Sequence, residues 1–233
     1  MSEGSRTVDQ ALNLLVELRD GGPGTVTQLA RRSNLSRSAT GRLLTTLTHH
    51  GFAHKIDHRY DLGFAYLRFQ ARLMPGLRSA AAPHLEALVA EFRETAAVAG
   101  RDRDSAVVLD HVVPDQQLVH VRYQPGTRHS LTVGAHGRCM LAADAKLQLP
   151  DADVRLIAEL AEIARVGYAM SHDELEPGVT GLAAAIVDAD GRALGSIGVL
   201  APTHRLPPEE ALAPAVVDAA ASISTALAGD ADS

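Results

Sequence analysis

Apolar residues recur at helical spacing through the first third of the chain and at strand spacing through much of the rest, which predicts a helical head on a mixed body. The first helix is expected over Val8 to Arg19, with Ala11, Leu12, Leu15, Val16 and Leu18 facing a small core. Asp20 to Gly24 breaks it with three glycines and a proline. A second helix opens at Thr25, where Gln28 three residues on completes a capping box, and it runs through Leu29 and Ala30 to Arg31 and Arg32. Asn34 and Ser36 flank Leu35 and stop it, and Ser36 caps a third helix. A break of about three residues between two short helices is the spacing of a helix-turn-helix.

At about 100° per residue, Ala39, Leu43 and Leu47 fall on the inner side of the third helix, with Leu44 at the margin. Arg37, Ser38, Gly41 and Thr45 fall on the outer side beside Arg42, and none is acidic. Short hydroxyls and a glycine let a helix approach the floor of a major groove, while arginines reach phosphates or a guanine edge. Gly51 ends the helix, and two short strands, Phe52 to Lys55 and Arg59 to Leu62, then form a wing around Asp57 and His58. Duplex DNA is therefore the expected partner, contacted by Thr25, Thr27, Ser36, Arg37, Ser38, Gly41, Arg42, Thr45 and Arg59. A winged helix also serves in protein–protein contact, so an interaction adaptor is the alternative on this evidence.

Charge distribution favours DNA. The whole chain carries −6, yet residues 1 to 75 carry +4 and residues 76 to 233 carry −10. A basic head is drawn to phosphates while an acidic body is repelled from them. With 233 residues, 46% of them hydrophobic, the chain suffices for one small and one medium domain. The expected division is 1–63 for the winged helix, 64–76 for a linker helix and 77–229 for the body. No apolar run approaching the roughly 20 residues of a membrane span is apparent, and no signal segment opens the chain, so the cytoplasm is expected, without membrane contact. The single cysteine, Cys139, excludes an internal disulfide framework.

In the linker, Phe64, Leu67, Ala71 and Met74 share a stripe suited to intrachain packing or a dimer contact, and Pro75 and Gly76 break the helix. Beyond it a helix is expected over Ser79 to Ala96, with Leu85, Leu88, Val89 and Phe92 inward. Strands follow over Ala96 to Gly100, Ser105 to Val113 and Gln117 to Tyr123. Helices come next over 136–147 and 153–166. A hairpin joins Thr180 to Asp188 with Ala193 to Leu200 through Asp190 and Gly191, and an alanine-rich helix closes over Glu209 to Ala228. Strand pairs with helices at their margins define an α+β body with an antiparallel sheet.

A winged helix, a linker helix and a body containing GAHGRCMLA, VGYAM and EPGVTGLAAAIVDADGRALGSIGVLAP resemble, in that order, the IclR family of bacterial transcription regulators. The resemblance implies a GAF-like body binding a small effector, often a carboxylate or aromatic molecule, and dimers or dimers of dimers on palindromic operators. Carried over position by position, it places the effector against Ala135 and His136, then Ser171, Val179 and Gly181, then Gly198 and Leu200. Family members that bind small oxoacids tend to have an acid, a cysteine and serines where this chain has Ser171, Gly181, Gly198 and Leu200. The smaller, more apolar set implies a bulkier effector such as an aromatic acid. The segment 144–166 is shorter than the family's, which implies a trimmed helix and a partly open pocket.

Enzymatic readings are weaker. His136 and Cys139 share a helix face but have no orienting acid nearby in sequence, so no nucleophile, base and orienter assemble. The chain has eleven histidines, of which His49, His50, His54 and His58 cluster at the wing, yet a strand and turn would not align even His54 and His58 as metal ligands. Asp188 and Asp190 read as hairpin residues, and Gly178 to Gly181 lacks the length and lysine of a phosphate loop. No cofactor is expected.

Overall fold

The computed structural model describes residues 4–70, 72–115, 117, 120–144 and 153–230. The chain divides into two compact units, Met1–Leu73 and Met74–Ser233.

In the first unit, α1 (Arg6–Gly21), α2 (Val26–Arg32) and α3 (Arg37–His49) close over Leu14, Leu18, Leu29, Leu44, Leu47 and Ala53. The wing is β1 (Ala53–Ile56) and β2 (Arg59–Leu62). Ile56 pairs with Arg59, leaving Asp57 and His58 as a two-residue turn, with Asp57 at φ 53° as such tight turns require. Gly24 bridges to Tyr60, fastening the loop after α1 to the wing. A short helix α4 (Ala65–Gln70) packs on the same unit: the Ala65 N–H donates to the Gly51 carbonyl at 3.0 Å, and the Phe52 ring lies 5.4 Å from Tyr66 and 5.3 Å from Phe69.

Two inward faces differ from those expected. On α1 the buried residues are Leu14 and Leu18, whereas Leu12 and Val16 point outward with Val8. The apolar arc of α1 is wider than the roughly 100° one core needs, so counting apolar residues did not separate its two faces. On α3 the buried set is Thr40, Leu44 and Leu47, with Ala39 and Leu43 only half-buried. Thr40 tolerates burial because its hydroxyl donates to the Ser36 carbonyl at 3.0 Å.

In the second unit a six-stranded antiparallel sheet runs in the order β5-β4-β3-β8-β7-β6. Its strands are β3 (Thr95–Asp102), β4 (Ser105–Val112), β5 (Arg128–Ser130), β6 (Ala169–His172), β7 (Val179–Val187) and β8 (Ala193–Pro202). Helices α5 (Pro75–Phe92) and α8 (Glu209–Asp230) cover one face through Leu77, Leu85, Leu212, Val216 and Ile223 over Val98, Leu182, Ile197 and Val199. Helices α6 (Gly134–Ala143) and α7 (Val154–Val166) take the other, where Met140, Leu141 and Ile163 meet Ala106, Ala169 and Ala183.

Several boundaries move. Pro75 does not end a helix but starts α5, at a first-turn position where its missing N–H costs nothing. That helix stops at Phe92, with Arg93 left-handed at φ 56°. The strand expected over Gln117 to Tyr123 does not form at 117 or 120–123, and residues 116, 118 and 119 lie outside those described. Its place beside β4 goes to β5, and β6 forms on the opposite edge. Residues 145–152 also lie outside the described set, including the end of the helix expected over 136–147 and part of the segment expected to be short. Helix α8 is, by composition, long and apolar enough to cross a membrane, reaching a mean hydropathy of 1.5 over an 18-residue stretch within Glu209–Gly229, contrary to the sequence expectation. Its apolar face is spent on the sheet.

Candidate DNA-binding face and effector site

The outer surface of α3 is set by its caps. Thr25 and Gln28 exchange both hydrogen bonds of the capping box at 2.9 and 3.3 Å, which fixes the start of α2. Asn34, left-handed at φ 52°, turns the chain, and Ser36 Oγ accepts from the Ala39 N–H at 3.2 Å. Arg37, Ser38, Arg42 and Thr45 are then exposed, with Gly41 half-buried between them. Arg37 and Arg42 form no ion pair among the described residues, so both guanidinium groups are available to an anion. A Cβ added at Gly41 would meet only a Val26 methyl at 4.0 Å, so nothing inside the chain demands glycine there.

The remaining positions divide. Thr27 is exposed at the start of α2, while Thr25 spends its hydroxyl on the cap. Arg59 donates to the Pro23 carbonyl and so helps brace the wing. Arg32 is structural, donating to the Gly21 and Gly22 carbonyls at 2.6 and 2.8 Å.

In the second unit the positions named for the effector gather on the sheet face that α6 covers. One row across the strands reads Ser171, Gly181, Leu200, Thr95, and the next reads Ala169, Ala183, Gly198, Ala97, His111. A Cβ at Gly181 would lie 2.9 Å from a Leu200 methyl and 3.5 Å from Ser171 Oγ, which places those three side by side. Val179 begins β7, one residue pair beyond Thr180 and Ala201.

Ala135 and His136 stand in the first turn of α6 and are buried. The His136 Nδ1 lies 2.8 Å from Ser196 Oγ, and its Nε2 is buried without a partner among the described residues. Burial pushes this imidazole down to about 3, and the nearby His129 adds to the shift. Cys139 donates to the His136 carbonyl at 3.3 Å, and burial pushes its thiol up to about 12 despite the opposing hydrogen bond from Ser196. The thiol is thus held protonated near neutral pH and the buried imidazole is too weak a base to take its proton, which gives no support to a catalytic pair.

Sequence reasoning missed the groups that frame this region. Glu174 accepts from the Gly134 N–H at 2.9 Å and from Arg138, whose guanidinium also meets Glu159 at 3.1 Å. Thr95 donates to the Val121 carbonyl at 2.6 Å, tying the segment after β4 down to β3. These partners lie 36 and 26 residues apart, beyond the reach of any local pattern. Among the described residues, no group of histidine, cysteine and carboxylates could hold a metal ion.

A winged helix offering free arginines, followed by a separate sheet-and-helix unit, is the layout of a DNA-binding regulator with a second, sensory part. Residues 7–57 match the IclR helix-turn-helix domain, and residues 74–153 and 151–225 match the bacterial transcriptional regulator IclR C-terminal domain. The chain belongs to the IclR family of DNA-binding transcriptional regulators, which are not enzymes.

The HTH-type transcriptional regulator BhcR of Paracoccus denitrificans (strain Pd 1222) is 28% identical over 249 residues, covering 97% of this chain and 89% of its own. The transcriptional repressor IclR of Escherichia coli (strain K12) is 24% identical, over 86% and 81% of the two chains. Among solved structures, the IclR of Thermotoga maritima has a TM-score of 0.78 at 23% identity, over 95% of this chain and 98% of that one. An IclR homolog from Microbacterium hydrocarbonoxydans, complexed with 4-hydroxybenzoate, has a TM-score of 0.78 at 21% identity over the same shares. At these identities the structures establish the fold alone.

Proposed function

We propose that this regulator's affinity for its operator is set by a bulky aromatic or apolar acid held on the α6 face of the sheet, against Ala135, His136, Ser171, Val179, Gly181, Gly198 and Leu200. The observation that carries the reading is the chemistry of that face. Gly181, Gly198, Ala183 and Ala97 lie on adjacent strands, with Leu200 and Ser171 beside them, a mostly apolar surface with few hydrogen-bonding groups. A two-carbon oxoacid needs a dense set of donors, whereas an aromatic ring needs apolar area and one or two polar contacts. The 4-hydroxybenzoate in the Microbacterium hydrocarbonoxydans homolog supports an aromatic acid as the first probe.

On the DNA side, Arg37, Ser38, Gly41, Arg42 and Thr45 meet the major groove, Thr25, Thr27 and Ser36 lie at its margin, and Arg59 holds the wing. The working form is a cytoplasmic homodimer, or a dimer of dimers, on a palindromic operator. Support comes from the apolar side chains left exposed on α1 (Val8, Leu12 and Val16) and around α4 (Phe64, Leu67 and Phe69), which need a covering surface. Effector binding alters how the linker segments of two copies are held and thereby the spacing of two recognition helices, whose half-sites lie about one helical turn or a multiple apart.

Calorimetry with the full chain tests the effector class. Binding of 4-hydroxybenzoate or a related aromatic acid, with none for glyoxylate, is the expected outcome. The reverse pattern would overturn it.

A further inference from the structure

The strand β4 carries an irregularity with a directional consequence. Ala99 pairs with Val108 but Val98 pairs with Asp110, so Leu109 is an extra residue in the ladder, a β-bulge. Before the bulge, Ala106 belongs to the core under α6. After it, Asp110 reaches Arg78 of α5 at 3.0 Å, and Val112 packs with the α5 and α8 core. An unbroken alternation would have put His111 on that α5 side. The bulge turns it to the α6 face instead, at the end of the row formed by Ala183, Gly198 and Ala97.

His111 shares a second property with His136. The Nδ1 of His111 and the Nε2 of His136 are both buried without a hydrogen-bond partner among the described residues. A buried polar atom left unpaired costs about 1–3 kcal/mol, so two on one sheet face call for a ligand or a trapped water. Their positions have a scale. His136 is anchored to Ser196 on β8, and His111 sits on β4, with β3 between them. Ser196 pairs with Ala99 and His111 with Ala97, so two strand spacings of roughly 4.8 Å combine with a two-residue offset along the strands to set the anchor points about 12 Å apart, a span that a single aromatic ring with an oxygen at each end fits between two side chains. Arg122 stands close enough to His111 to depress its titration, after burial the largest cause of that shift, opposed by Asp110, and so brings positive charge to that end.

Building on the proposed effector class, we infer that His111 and His136 are the two polar recognition points of the pocket. A monocyclic hydroxy acid spans β3 with its carboxylate at His111 beside Arg122 and its far hydroxyl oxygen at His136 Nε2. The imidazoles select the ligand by hydrogen bonding, and Arg122 supplies the charge.

Full-length protein labelled with ¹⁵N in histidine, titrated with 4-hydroxybenzoate and with benzoate, tests this directly. With 4-hydroxybenzoate the ring-nitrogen signals of both His111 and His136 move. With benzoate only those of His111 move. In calorimetry His111→Leu weakens both ligands at least tenfold, while His136→Leu weakens 4-hydroxybenzoate to the affinity of benzoate and leaves benzoate unchanged. If either variant fails to fold, the labelled parent chain still decides. Binding of both acids with neither imidazole perturbed would overturn the two-point assignment and leave the aromatic effector class standing, the orphan nitrogens then being served by water. No binding of any aromatic acid by a chain that still binds its operator would overturn both.

Discussion

The Gly134 N–H and Arg138 share one carboxylate, that of Glu174, with the Gly134 bond at 2.9 Å. This ties the first turn of α6, where Ala135 and His136 stand, to the loop between β6 and β7. Arg138 is nearly buried and Glu174 about a quarter exposed. Breaking a largely buried pair from one side leaves a charge without its partner, though Glu159 retains part of the guanidinium. Glu174→Ala is expected to destabilise the second unit by about 1–3 kcal/mol in urea denaturation. Glu174→Gln should lose less, since its amide oxygen can still accept from Gly134. Equal midpoints for all three proteins would contradict the bracing role.

The proposed DNA contacts of α3 divide into positioning and reading roles. Arg42→Ala is expected to weaken binding to all duplexes and to reduce the salt slope by about one unit, whereas Arg37→Ala or Ser38→Ala changes which sequence is preferred. Gel shifts on the chain's upstream region and on scrambled duplexes, at two salt concentrations, distinguish these. Parent-like behaviour from both kinds of variant would mean that another surface contacts the DNA.

Gly41 gives a test in which stability and function move in opposite directions. Alanine there meets only Val26 at ordinary contact distance, so Gly41→Ala should stabilise the first unit by up to about 1 kcal/mol through helix propensity. On the proposed docking of α3 the same methyl would intrude on its approach to the groove, so operator affinity should fall. A variant both more stable and equally tight would place Gly41 outside the interface.

The helix start is a separate, smaller contribution. Ser36→Ala removes the acceptor for the Ala39 N–H and should cost about 1 kcal/mol in thermal or urea unfolding. An unchanged midpoint would show that solvent replaces the cap without loss.

Acid should destabilise the second unit through His136. Its folded pKa lies at about 3, below the ordinary value of 6.5, so the unfolded chain takes up a proton over this interval while the folded chain does not. Stability is then independent of this group above pH 6.5 and declines from there toward pH 3, by at most about 1.4 kcal/mol per pH unit. His136→Asn should flatten that part of the profile. An identical profile in parent and variant would rule out the buried neutral imidazole.

The parts of the fold readable from sequence were those determined by neighbours along the chain. The Thr25–Gln28 box, the Ser36 cap and the Asp57–His58 turn each act within three residues, and each forms as the pattern indicated. Strands β5 and β6 were missed because three or four residues at a sheet edge carry too little alternation to register. The orientation of His111 was unreadable for a stronger reason. A bulge exists only relative to a partner strand, so the face that His111 takes depends on Val98 and Ala99. The Glu174 link to Arg138 and the Thr95 link to Val121 likewise arise only once the sheet has formed. The positions proposed for the effector gather on one face because β6, β7 and β8 pair in register, although sequence alone supplied them through a family resemblance rather than through spacing.

Fluorescence anisotropy of the full chain on its own upstream DNA, titrated in parallel with 4-hydroxybenzoate and with glyoxylate, tests the regulatory reading most directly. Coupling of about 1–3 kcal/mol between the two sites means that the aromatic acid changes operator affinity by about 5- to 150-fold while glyoxylate leaves it unchanged. A response to glyoxylate alone, or to neither acid, would contradict it.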